Sequence, residues 1–290
     1  MRAARTLAAV LAGVGLLALG AFAWRARQPG SPPPAQSASA TGTVHTQQMA
    51  PPPPAQRRWR TPLKRRCQAG DPTLRQELLE RLRRLRDNRV TVAIHPTNYG
   101  ERFSRDAFGR PLERRPKVIV LHETVYGIGS AINTFVTPHP RDQDQVSYHA
   151  LIGQDGTVVQ VLDPDKRAFG AGNSAFDGAW VVTNPSVGGS VNNFALHISL
   201  ETPLDGEDAD AAHSGYTLAQ YDALAVLMAD WMSRYSIPYQ NITTHAHVDL
   251  GGERSDPRSF DWQALEQRLQ ALGLLCRVTP RRSLFRSPAS

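Results

Sequence analysis

The chain has 290 residues, 41% of them hydrophobic, with 33 Lys and Arg against 26 Asp and Glu for a formal net charge of +7. This length holds one sizeable domain plus appendages, and the apolar content excludes a chain disordered throughout. The basic excess is concentrated at 57–66 (RRWRTPLKRR) and 281–286 (RRSLFR), which suits a solvated basic face or an anionic partner such as a membrane surface or a cell-wall polymer; no motif for reading nucleic acid is present, and no nucleic-acid partner is expected.

Residues 1–27 form a targeting segment. Arg2 and Arg5 precede an uncharged run from Thr6 to Trp24, about long enough to span a bilayer as a helix. Ala21-Phe22-Ala23 resembles a cleavage site. The length of the run, and Arg25 and Arg27 directly after it, favour an uncleaved membrane anchor. Either way the rest of the chain is expected outside the cytoplasm, in the periplasm or on the cell-envelope face. Residues 28–56 are rich in Pro, Ser, Ala and Gln and read as an extended, disordered linker. Two cysteines, Cys67 and Cys276, flank the probable domain, one at each end; in an exported protein this suggests a bridge closing the domain.

Residues 57–89 hold the basic stretch and a helix at 71–87. Asp71 is its cap, Pro72 sits at the first helical position, and Leu74, Leu78, Leu82 and Leu85 form one stripe. The domain proper is expected over 90–275, with a basic tail at 276–290. Lys117–His122 reads as a short buried strand. Residues 147–162 read as two strands joined around Asp155-Gly156. Residues 192–202 alternate Phe194, Leu196, Ile198 and Leu200 with other residues, as a strand does. Residues 217–235 form an amphipathic helix with a Thr217/Gln220 capping box and a face of Leu218, Tyr221, Leu224, Met228, Trp231 and Tyr235. Asn241–His245 is a short strand, and 261–273 is a closing helix between Asp261 and Gly273. The alternation of strands and helices predicts an α/β domain.

Nine histidines occur. His122 and His245 end short apolar strands, and Asp256 follows His245 through a Gly-rich turn. Two imidazoles and one carboxylate make a plausible open zinc site with a fourth position for water, although strand-end histidines are also commonly structural.

The series VLHET, SYHALIGQDGTVVQV, AFGAGNS, NNFALHISLE and THAHVDLGGERSDPRSFDW, over about residues 90–272, resembles the zinc-dependent N-acetylmuramoyl-L-alanine amidases, the superfamily shared with peptidoglycan recognition proteins. The resemblance implies a single α/β domain with a central mixed β-sheet flanked by helices, one Zn2+, and His122, His245 and Asp256 as metal ligands. The loop from His245 to Asp256 is one residue longer than in many members, which leaves His247 as an alternative ligand. Tyr148 corresponds to a tyrosine beside the metal, and Arg254 to a basic residue that stabilises charge on the scissile carbonyl oxygen. Residues 168–174 correspond to a loop lining the substrate groove, with Gly170 where a histidine is common. Many members read IGIE where this chain reads LHIS, so Ser199 stands where they carry a glutamate base. Glu201, two residues on and on the same strand face, is the candidate general base, with a solvated strand-end carboxylate as the alternative. Glu123 is expected to point to the opposite face. The implied activity is hydrolysis of the amide between N-acetylmuramic acid and L-alanine, by a monomer acting on peptidoglycan or muropeptides. A non-catalytic peptidoglycan-binding protein, or a zinc hydrolase of another peptide amide, are the competing functions.

Overall fold

The computed structural model describes residues 49–52, 54–87 and 89–276. The targeting segment, most of the linker and residues 277–290 of the C-terminal tail lie outside the described residues. Among the described residues no helix is long and apolar enough to cross a membrane.

The elements in chain order are α1 (Pro72–Asp87), β1 (Val90–Thr91), β2 (Tyr99–Glu101), β3 (Val118–Glu123), α2 (Ile128–Val136), β4 (Ala150–Ile152), β5 (Val158–Gln160), β6 (Lys166–Ala168), β7 (Val181–Asn184), β8 (Gly188–Ser190), β9 (Ala195–Leu200), α3 (Leu218–Tyr235), β10 (Ile242–Thr244), α4 (His245–Val248) and α5 (Trp262–Ala271). Six strands form one mixed sheet in the order β1-β5-β4-β9-β3-β10. Only the β4–β5 pair is antiparallel; the other pairings are parallel. The sheet flanked by helices is therefore as expected.

The central strands β3 and β9 are buried on both faces, which is why they read as near-continuous apolar runs. On one face Ile119, Leu121, Leu196, Ile198 and Leu200 pack against Leu224, Met228 and Trp231 of α3 and Leu265 and Leu269 of α5. On the other face Val118, Val120 and Ala195 meet Phe176, Val181 and Val191 around the β7–β8 hairpin. Leu151 meets Phe135 of α2 on that side. Helix α1 lays Leu78 against Val226 and Ala271, so α3 is covered on two sides. That explains why twelve of the eighteen residues of α3 are buried rather than one stripe. Leu218, placed on the stripe by its spacing, is 70% exposed in the first turn.

The local signals act as their chemistry dictates. The Asp71 carboxylate accepts from the amides of Thr73 and Leu74. Thr217 and Gln220 form both bonds of the capping box. Gly156 turns the β4–β5 hairpin at φ 81°, a conformation that costs other residues a Cβ clash. Cys67 and Cys276 are bridged across a separation of 209 residues. One expectation fails in detail: His245 does not end a strand. The strand stops at Thr244, whose hydroxyl caps the four-residue helix α4 by accepting from the His247 amide.

Candidate metal centre and active site

The site lies where β3 and β10 run parallel and end together, with Thr244 beside Leu121. His122 is the next residue of β3 and is fully buried. His245, the first residue of α4, is 8% exposed. The loop after α4 returns Asp256 to the same spot, fixed by a bond from the Ala246 amide to the Asp256 carbonyl at 3.0 Å. The Asp256 carboxylate stands 3.3 Å from His122 Nδ1 and 3.0 Å from His245 Nδ1. One ligand atom from each of the three residues falls within 4.8 Å of the others.

The electrostatics agree with a metal-binding role. Burial, and then the neighbouring His245, push the His122 imidazole down to about 4, although Asp256 opposes the shift. His122 is therefore neutral at physiological pH, as a ligand must be. Burial alone would raise the Asp256 carboxyl. The nearby His122 and His245 imidazoles outweigh it and hold the group well below the usual carboxylate range.

Zinc fits these residues. His122 Nε2 is engaged with His197 at 2.9 Å, whereas Nδ1 is buried and makes no hydrogen bond of acceptable geometry despite the nearby carboxylate. A buried nitrogen lone pair facing a carboxylate and a second imidazole is a position that a divalent cation satisfies. The N, N, O donor set with three protein ligands matches open zinc sites.

His247 belongs to another environment. Its ring packs against Trp59 with centroids 4.6 Å apart and a 47° tilt, beside Phe176, and its carbonyl accepts from Gln56 Nε2. The structure thus gathers His245, not His247, with His122 and Asp256.

Beside the three residues opens a groove with a cavity volume of about 1110 Å³, whose lining includes His245, Asp256, Tyr148, Arg254 and Glu123. Tyr148 stacks on His122 at 4.3 Å. Burial and the Asp256 charge raise its hydroxyl above the ordinary phenol value, so it stays protonated. Arg254 is exposed on the rim, and its charge is felt at both Tyr148 and His122. Phe169, Gly170, Gly172 and Asn173 line the groove, in keeping with the reading of 168–174.

Two carboxylates differ from expectation. Glu201 does not line the groove. Its Oε1 accepts from the Ile128 amide at 2.8 Å and its Oε2 from the Gln154 amide at 2.9 Å. It ties the first turn of α2 to the β4–β5 turn, and is neither base-like in position nor a freely solvated carboxylate. Glu123, expected to face away, has its carboxylate at the groove wall. Tyr216, His213 and Arg258 hold it there. Arg258 also holds the carbonyls of Gly206, Asp208 and Asp210, fastening the polar insertion 203–215 to the groove rim.

Sequence reasoning gave His197 no role, although it touches His122. Its contact depends on the glycine at 170, 27 positions earlier, which only the fold brings to it.

A buried two-histidine, one-aspartate cluster that could hold a metal ion thus lies at the end of a mixed sheet, beside a groove. Residues 112–259 match the family model Amidase_2, N-acetylmuramoyl-L-alanine amidase, and the chain belongs to that family. It is 35% identical over 118 residues to the 1,6-anhydro-N-acetylmuramyl-L-alanine amidase AmpD of Citrobacter freundii, covering 41% of this chain and 54% of that one. It is 29% identical over 167 residues to AmpD of Salmonella typhimurium, covering 53% and 80%. It is also 29% identical over 164 residues to the N-acetylmuramoyl-L-alanine amidase AmiD of Escherichia coli, covering 53% of each. The match thus spans about half the length of two of these relatives and four-fifths of the third. Among solved structures, a selenomethionine AmpD derivative superposes with a TM-score of 0.47 at 26% identity, over 62% of this chain and 93% of that one.

Proposed function

We propose that this chain is a zinc-dependent amidase that cleaves the bond between N-acetylmuramic acid and L-alanine in peptidoglycan or its fragments, releasing stem peptide. The observation that carries this reading is the convergence of His122, His245 and Asp256 beneath a groove within the family-matched span. AmpD and AmiD are amidases of muramyl-L-alanine bonds, which supports the same bond here.

His122, His245 and Asp256 would hold the ion through two Nδ1 atoms and a carboxylate oxygen. Bound zinc supplies Lewis acidity, which polarises a carbonyl and brings water toward a pKa of about 7. The protein's own groups complete the site. The Tyr148 hydroxyl remains protonated and donates to the oxygen on which charge develops. Arg254 adds a permanent cation on the same side, since a guanidinium keeps its proton. Stacking on Tyr148 and burial keep the His122 ring in one orientation. The polar rim, including the pinned segment around Asp208, orients a peptide along the groove.

The run at 6–24 supports an exported location, with the domain facing the cell envelope and held near the membrane. The polymer is found in that compartment.

Full-length protein incubated with purified peptidoglycan and with anhydromuropeptides should release free stem peptides, identified by mass spectrometry. Chelation should abolish release and added zinc restore it. His245→Ala should lose both the metal and the activity, whereas His247→Ala should keep one zinc per chain. Cleavage at a different amide would indicate another peptide hydrolase. Zinc-loaded protein that binds the polymer and releases nothing would indicate a binding protein.

A further inference from the structure

His197 touches the candidate metal centre yet takes no part in the chemistry assigned to Tyr148 and Arg254. It lies on β9, fully buried, on the same sheet face as His122. Its Nδ1 is 2.9 Å from His122 Nε2. The groove floor above it is Gly170, and a Cβ there would lie 2.4 Å from that same Nδ1 and 2.5 Å from Cγ, closer than real contacts allow. Only glycine at 170 lets the ring occupy its place.

The ring is held from the other side as well. The His197 backbone amide donates to His149 Nδ1 at 3.0 Å, and the His149 amide donates to the His197 carbonyl at 3.0 Å. The two imidazoles are stacked at 5.8 Å, almost coplanar in tilt at 3°. His149 Nε2 reaches the Lys166 carbonyl at 3.2 Å, so it carries the proton and leaves Nδ1 as the acceptor. The main chain of His197 is therefore fixed on a central strand, and its ring lies between Gly170 and the stacked His149.

We propose that His197 is a positioning residue for the metal centre: its neutral Nδ1 accepts a hydrogen bond from His122 Nε2–H, fixing His122 in the tautomer that presents Nδ1 to the ion, and Gly170 provides the space that this contact requires. A metal-ligating histidine almost always donates its second ring N–H to a carboxylate, a carbonyl or water. In this chain a second imidazole takes that place. The chemistry is direct. Binding through Nδ1 requires the proton of neutral His122 on Nε2, and that proton needs an acceptor because burial denies it water. His197 Nδ1 is the atom in reach. Its own proton then sits on Nε2, a buried atom without a partner. An unpaired buried donor is normally costly, and here it accompanies the contact at Nδ1.

This inference rests on the zinc reading of His122, His245 and Asp256. It is tested on the full chain by zinc affinity, measured by chelator competition, for wild type, His197→Phe, His197→Gln and Gly170→Ala. His197→Phe, which fills the space without an acceptor, should weaken zinc binding by roughly 10- to 100-fold. His197→Gln, whose carbonyl oxygen can accept, should regain most of that loss. Gly170→Ala should weaken binding in the direction of His197→Phe. Imidazole proton–nitrogen correlation spectra of the zinc-loaded wild type need no variant to fold; they should show the His122 proton on Nε2 and an unprotonated His197 Nδ1. Wild-type affinity in His197→Phe, or a protonated His197 Nδ1 in the loaded protein, would overturn the proposal while leaving the zinc site intact. Wild type that binds no zinc would instead remove the metal reading itself, and this inference with it.

Discussion

The three histidines of the buried row, His122, His149 and His197, are fully buried yet belong to a residue type that takes a proton near pH 6.5 in water. Burial pushes His122 down to about 4 and His149 to about 3, and holds His197 well below its ordinary value. In the unfolded chain each binds a proton below pH 6.5, whereas in the folded chain none does until much lower. Protons therefore favour the unfolded state across this window. Stability is fully present above about pH 6.5 and falls as pH drops toward 4, by up to about 1.4 kcal/mol per pH unit for each such histidine. Urea unfolding of the metal-free protein at pH 7.5, 6.5, 5.5 and 4.5 checks this. A midpoint constant over that range would contradict it. At this scale the sequence offered His122, His245 and Asp256 as one open cluster among commonly structural histidines, and the resemblance to the amidases singled them out as ligands. It did not reveal His197. Its place is decided by an absent side chain at Gly170, 27 positions earlier in the chain, and no local pattern carries that information.

Helix α2 shows the same limit one level up. It starts at Gly127 with no side-chain cap, so nothing in its own sequence announces it. The partner for its first free amide comes from Glu201, at the far end of β9. A carboxylate there also suits the positive end of the helix. Removing it strands two amides, at Ile128 and Gln154. Glu201→Ala should cost about 1–3 kcal/mol of stability and leave zinc affinity unchanged, as measured by denaturant unfolding and chelator competition on the same preparations. A stability near wild type with activity lost would restore Glu201 as a base. The elements that were legible carry their own signals: the capping box of α3, the Asp-Gly turn between β4 and β5, and the Asp261 cap and Gly273 stop of α5. The short β2–β6 pair joins segments more than sixty residues apart, and each strand alone is too short to show a period. The β7–β8 pair, though local, has Gly188 and Gly189 in one strand, where alternation is invisible.

For the molecule as a whole, the bridge between Cys67 and Cys276 ties the start of the described body to its end. Closing so long a loop restricts the unfolded chain strongly, and bridges of this kind contribute about 2–5 kcal/mol. For a domain of this size the change corresponds to a thermal midpoint on the order of 10 °C lower once the bridge is gone. The Cys67→Ser/Cys276→Ser double variant, compared with wild type by calorimetry, should show that drop. An unchanged midpoint would mean that the packing of α1 and α5 on α3 already fastens both ends.

Ahead of that bridge, Gln56 and Trp59 fasten the incoming chain to the turn that carries the candidate ligands. Gln56 bonds the carbonyls of Ala175 and His247, the Trp59 ring packs against His247, and the Trp59 amide bonds Asp177. A pulling force applied upstream of Gln56 would therefore be shared first by the 175–177 segment and by His247, between the candidate ligands His245 and Asp256, and only after those contacts part by the covalent link at Cys67. Tension on the leading stretch of the chain would reach the turn that holds two of the three candidate ligands before the covalent link took it up.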